Sequence, residues 1–288
     1  MKYKSESSYS KSKFSLLKKD NKIFIKKKPM KIDTREFESI NKQNQFKKIK
    51  IKNFIIESAK IKFIKKDVVK KKYYLVDFFH GKNGEEILSN GNKNEIKILE
   101  LFIKNYIINA KKNSKIIPRN KALIIKKYNQ ISKHINCKKI KNFEIIKKYF
   151  FLLLKKNILT FNNANCHGDL TLSNIILCNK QKKIILIDFQ KTYEDNLIQD
   201  LSKLFQEFYL GWTSRNFSKI NKLRSEIIYR SILNDDFWKM FDKKMLYSFK
   251  IEFIMTILRI IPYVNKNDKI TLDWIYNSFI LIKKFKIK

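Results

Sequence analysis

The chain has 288 residues, 44% of them hydrophobic, with 23 Phe and 13 Tyr. That is enough apolar surface for a sizeable core, in one large domain or in two lobes, and it excludes a disordered chain. The formal charge is +38, from 64 Lys and Arg against 26 Asp and Glu. Only six of those 64 are Arg and the lysines run the whole length, so the charge reads as background composition, not a focused nucleic-acid surface.

Three cysteines with no C-x-x-C pair give neither a disulfide framework nor a zinc site. The start, MKYKSESSYSKSK, has no apolar signal core, and no apolar run approaches the roughly 20 residues of a membrane span. The expectation is a soluble, reduced, cytoplasmic protein.

In chain order, KFSLLKK and KIFIKKK flank Asp20-Asn21 and predict a β-hairpin. DTREFESINKQNQFKKI predicts a helix that Asp33 or Thr34 can cap, with Glu36 in its first turn. NFIIESAKIKFIKKD and KKKYYLVDFFHG are strand-like runs ending at Gly81. The pattern then turns helical. NEIKILELFIKNYIINAKK places Ile96, Leu99, Ile103 and Ile107 on one face, and NFEIIKKYFFLLLKKNIL is apolar on most sides, which predicts a buried helix. Residues 197–263 are mostly helical in pattern. The layout is a small β-rich lobe over 1–80 and a larger, mainly helical lobe over 81–288. A hinge is expected near Val76–Gly81, and clefts between lobes are common ligand sites.

One segment differs from the rest. NCHGDLTLSNIILCNKQKKIILIDF, residues 165–189, gathers two of the three cysteines, one of three histidines and one of five glycines. SNIIL and KIILI are β-branched runs around the loop CNKQK and predict an antiparallel hairpin. A turn centred on Gln181 sets Asn174 opposite Asp188. An amide oxygen and a carboxylate at one hairpin end suit Mg²⁺, which takes oxygen ligands and needs only one or two from protein. Asp169, five residues earlier, can orient a hydroxyl and accept its proton. His167 would pack beneath the loop, and Gly168 allows a tight backbone path.

CHGDLTLSN followed by LIDF resembles the catalytic core of the kinase-like fold, H-x-D-x-x-x-x-N plus a metal-binding Asp. The nearest group is the aminoglycoside/choline-kinase phosphotransferases. Within it, DLSKL…GW and RIIPY (Arg259–Tyr263) resemble bacterial members associated with surface-polysaccharide biosynthesis. The resemblance is carried by residues 165–212.

It implies an α+β, two-lobed protein-kinase-like fold and an ATP- and Mg-dependent transfer of a phosphoryl group to the hydroxyl of a small sugar or amino-alcohol. In that frame Asp169 is the catalytic base, Asn174 and Asp188 are the metal ligands, and His167 supports the loop. Asp200 either braces the loop by accepting backbone N–H bonds or caps a helix. Lys27, with Lys26 its rival, reaches the phosphates from a strand face shared with Ile23 and Ile25. Glu38 or Glu36 pairs with that lysine.

The chain departs from the pattern in three places. No G-x-G-x-x-G precedes the first hairpin; SESSYSKSK stands there and could cover phosphates through hydroxyls and backbone N–H groups. Gly168 replaces the Arg of regulated protein kinases, and only twelve steps separate Asp188 from Asp200. There is no room for a peptide platform, so a small-molecule acceptor follows. Lys191 stands where some relatives carry a second acidic residue, so the expectation is either one metal ion or a second held by Glu194 or Asp195. Trp212 and Trp238 are expected in packing. Two rival readings are a kinase-like protein that binds without catalysing and a basic nucleic-acid-binding protein.

Overall fold

The structure, a computed structural model, describes residues 13–284 except 30–32, 63–72, 135, 138–139, 141–142, 157, 165, 217 and 265–267. The strands are β1 (Lys13–Lys19), β2 (Lys22–Lys28), β3 (Ile49–Ile51), β4 (Phe54–Ser58), β5 (Ile61–Lys62), β6 (Tyr74–Asp77), β7 (Lys82–Asn83), β8 (Lys115–Pro118), β9 (Thr160–Asn163), β10 (Ile175–Cys178) and β11 (Lys183–Leu186). The helices are α1 (Thr34–Gln45), α2 (Gly84–Asn90), α3 (Lys93–Lys112), α4 (Lys121–Ser132), α5 (Phe143–Lys156), α6 (Leu197–Phe208), α7 (Lys219–Ile232), α8 (Asp235–Trp238), α9 (Lys243–Leu258) and α10 (Lys269–Lys284). They form two compact units. One runs to Gly84 and adds Ser173–Thr192; the other holds Glu85–Leu172 and Tyr193 onward.

The first unit contains two sheets, ordered β1-β2-β6-β5 and β3-β4-β11-β10-β7. Asp20 and Asn21 both have positive φ, +48° and +56°. That is the turn whose twist matches a two-residue hairpin, and it sets Lys19 opposite Lys22. Asp33 caps α1, its carboxylate accepting from the Glu36 N–H at 3.1 Å. α1 buries Ser39, Ile40 and Gln43. Ile40 joins Ala59, Tyr74, Val76, Cys178 and Ile185 in one apolar cluster. The hairpin β10–β11 belongs to this unit because β11 pairs in parallel with β4, Lys183 opposite Ile55.

The register of that hairpin differs from the expectation by one residue. Ile175 faces Leu186, and the Ile187 N–H donates to the Asn174 carbonyl at 3.1 Å. Asn174 therefore stands level with Ile187, and Asp188 lies one residue beyond. The cause is the turn. Asn179–Gln181 form a 3₁₀ turn that Lys182 closes in the left-handed region, φ +52°. Four loop residues, not a turn centred on Gln181, join the strands.

The second unit is built on α6 and α9. Ser202 and Thr256 share a hydroxyl–hydroxyl bond at 2.9 Å, and the Phe205 ring meets Phe249 at 5.1 Å and Phe253 at 5.0 Å. Both helices are buried on nearly all sides. α5, expected to be buried, is amphipathic instead. Ile146, Phe150, Leu153 and Leu154 are covered, while Ile145 and Leu152 stay about half exposed. Its apolar run is wider than the face it packs. The helix 93–112 is as expected, and its buried face also carries Tyr106.

Candidate active site

In the second unit the sequence HGD is held by α6. Asp200 is fully buried. Its Oδ2 accepts from the His167 N–H at 2.6 Å and from the Tyr106 hydroxyl at 2.7 Å; its Oδ1 accepts from the Gly168 N–H at 2.7 Å. Charge-assisted bonds of this kind are about twice as strong as neutral ones. The helix cap is Asn196, whose side chain accepts from the Gln199 N–H at 2.9 Å. Of the two roles weighed for Asp200, the geometry is that of the brace. Gly168 has φ +87°, a backbone that side chains resist, so the turn into Asp169 needs glycine. His167 is fully buried, and its Nδ1 accepts from the Asp169 N–H at 3.2 Å.

Asp169 keeps 22% of its side chain exposed, and its Oδ1 lies 2.9 Å from the Lys203 ammonium. Burial pushes its carboxyl upward, but Lys203, His167 and Arg259 outweigh this and hold it below the usual carboxylate range. Asp169 is thus an ionised, oriented acceptor. One turn further along α6 lies Glu207, fully buried, which accepts from the Thr213 hydroxyl. Glu85 competes for that hydroxyl at 3.3 Å. Burial raises the Glu207 carboxyl to about 8, with Thr213 opposing and the Glu85 charge adding.

Beside these runs a buried ion network. Arg119 reaches Glu194 and Glu252 at 2.8 Å each, and Arg259 reaches Glu252 at 3.1 Å. Tyr193 donates to the same Glu252 carboxylate. Burial would lift Glu252, yet the two guanidinium groups hold it low. Glu194, one candidate for a second metal ion, is engaged by Arg119. Trp238 packs edge-on against Phe205 at 5.1 Å, and Trp212 against Trp274 at 4.8 Å.

In the first unit Lys27 reaches Asp188, ammonium to Oδ1, at 2.7 Å. Lys26 lies 3.9 Å over the Tyr73 ring. Asp188 is itself in the left-handed region, φ +58°, and its side chain is 40% exposed. Asn174 is buried. Glu36 accepts from the Tyr74 hydroxyl at 2.6 Å, and Tyr74 is the cross-strand neighbour of Lys27. Burial and Glu36 together raise that phenol far above its ordinary value. Glu38 is exposed on α1. All of the segment SESSYSKSK but its last residue, Lys13, lies outside the described residues.

Asn174 and Asp188 carry hard oxygen atoms of the kind Mg²⁺ takes, and the Asp188 carboxylate already faces a cation, Lys27. Among the described residues no group of three or more His, Cys, Asp or Glu is arranged for a metal ion. Among them too, no helix is long and apolar enough to cross a membrane.

Tyr106, Lys203 and Gln43 (treated below) were not singled out from sequence. Lys203 stands three residues after Asp200, one helical turn on, so that spacing was a usable signal. Tyr106 is 94 residues from its partner and gave none.

No protein-family model matches the chain, and no curated protein matches it in sequence. Solved structures do. Choline kinase LicA from Streptococcus pneumoniae aligns over 94% of this chain and 90% of its own, with TM-score 0.53 and 14% identity. An ethanolamine kinase from Plasmodium vivax aligns over 94% and 82%, with TM-score 0.47 and 16% identity. The chain accordingly has the mixed α+β, kinase-like fold seen in the choline kinase, with a sheet-rich N-terminal region and a helical C-terminal region.

Proposed function

We propose that the protein is an ATP- and Mg-dependent phosphotransferase acting on the hydroxyl of a small molecule. The observation that carries this reading is the Asp200 brace. A buried carboxylate holding two consecutive backbone N–H groups presents the next side chain, Asp169, ionised and partly open. Such a group can orient an acceptor hydroxyl and take its proton as the bond to phosphorus forms. The fold shared with the choline kinase supports it.

In this reading Asn174 and Asp188 hold Mg²⁺, which when bound neutralises phosphate charge. Lys27, poised beside Asp188, moves to the phosphate oxygens. Tyr74 and Glu36 keep the Lys27 strand in place, so Glu36, not the exposed Glu38, is the helix carboxylate on that side. Transfer then rests on positioning and electrostatics, with little covalent work for the protein.

The acceptor we propose is an amino-alcohol or a sugar of surface-polysaccharide biosynthesis, and the setting is the cytoplasm. The resemblance of DLSKL…GW and RIIPY supports the sugar; the fold shared with the choline kinase supports the amino-alcohol. A panel of choline, ethanolamine, hexoses and amino-sugars, read as ADP release, decides between them. Asp169→Asn is expected to lower turnover at least a hundredfold while ATP still binds. Full activity in that variant overturns the proposal.

A further inference from the structure

Asp188 adopts a backbone conformation, φ +58°, that a non-glycine residue holds at a cost of about 1 kcal/mol or more. Such a conformation persists only where its surroundings determine it. Inside the first unit those surroundings are one face of α1. The Phe189 N–H donates to the Gln43 side-chain oxygen at 3.2 Å. The Gln190 carbonyl accepts from the Lys42 ammonium at 2.9 Å. The Lys191 N–H donates to the Ser39 hydroxyl at 2.9 Å, and the Lys191 carbonyl accepts from Arg35 Nε at 3.1 Å.

Three consecutive residues after Asp188 are thus gripped by Arg35, Ser39, Lys42 and Gln43. Their spacing is that of one helix face. Gln43 is itself anchored: it is buried, and its amide donates to the Ala59 carbonyl at 2.6 Å. The Phe46 ring, just past the end of α1, packs on Phe189 at 5.4 Å.

We infer that Gln43 and Ser39 are positioning residues for the metal site. They hold the backbone of 189–191, and through it the direction of the Asp188 carboxylate, so the affinity for the divalent ion is set from α1. This rests on Asp188 being a metal ligand. The consequence is that a helix contributing no ligand controls how well the site is formed.

The experiment uses the full chain and Mn²⁺ alone as probe, with free ion counted by its electron paramagnetic resonance signal. Ser39→Ala and Gln43→Met are each expected to weaken Mn²⁺ binding roughly three- to tenfold, the effect of one or two lost hydrogen bonds. Asn44→Ala is the comparator. Asn44 ties α1 to Ile61 at 2.8 and 3.0 Å without touching 189–191. It should lower the melting temperature and leave Mn²⁺ binding unchanged. Wild-type affinity in both Ser39→Ala and Gln43→Met overturns the inference, as does an equal loss in Asn44→Ala. Asp188→Asn separates the two levels: if it binds Mn²⁺ like the wild type, the ligand assignment fails and the role of α1 falls with it.

Discussion

Replacing Asp200 by Asn tests the brace directly, because the change removes one oxygen and almost no volume. The wild-type carboxylate accepts three bonds, two at Oδ2 from His167 and Tyr106 and one at Oδ1 from Gly168. Asn has a single oxygen. Turned toward His167 and Tyr106, it puts its NH₂ against the Gly168 N–H, donor facing donor; turned the other way, it abandons two donors. The better orientation loses one charge-assisted bond, about 1.5–3 kcal/mol, and strands a buried N–H, about 1–3 kcal/mol. The expected loss is therefore about 3–5 kcal/mol, a large part of the roughly 5–15 kcal/mol that holds a domain folded.

The assay is urea unfolding followed by tryptophan fluorescence. All three tryptophans, Trp212, Trp238 and Trp274, lie in the second unit, so the signal reports the right part of the molecule. Tyr106→Phe, which spares both amide bonds to Asp200 and removes only the hydroxyl's, should cost about 1.5–3 kcal/mol. Asp200→Asn within 0.5 kcal/mol of wild type would refute the reasoning, since it would mean the carboxylate carries no load in this loop.

Two further outcomes concern titration. Lys203→Met removes the cation that keeps Asp169 ionised, so the Asp169 carboxyl should rise. A carboxyl held low in the folded state adds stability above its unfolded value and loses it as pH falls through the folded one. The variant should therefore lose activity and stability at a higher pH than wild type on the acid side, with about 1–3 kcal/mol lost at neutrality, read from pH–rate profiles and melts. Glu207 is the opposite case. Its carboxyl is raised from 4.5 to about 8, so wild-type stability falls as pH climbs between those values and is level above. Glu207→Gln should flatten that slope, gaining on the order of a few kcal/mol relative to wild type at pH 8 compared with pH 5.

What could be read from sequence was local. The Asp20–Asn21 hairpin and the Asp33 cap each depend on residues within a few positions, and both are in the structure as expected. The HGDLTLSN…LIDF segment announced itself through rare residue types concentrated in one place. The hairpin register missed by one because a turn's length cannot be fixed from its composition; the left-handed Lys182 decides it. Tyr106, Gln43 and the Arg119 network were invisible because each acts on a partner 75 to 146 residues away. The burial of α6 on nearly all sides was not read from the sequence, because Gln199, Asp200 and Ser202 interrupt its apolar face. They are buried polar groups with partners across the unit.

The parallel pairing of β4 with β11 bears on how the polypeptide matures. Roughly 130 residues separate Ile55 from Lys183, so the N-terminal sheet waits, one flank unfilled, until nearly half of the other unit has left the ribosome. A nascent chain halted before residue 183 should expose β4 and recruit holdases. Truncations that stop short of the hairpin should accumulate as aggregates.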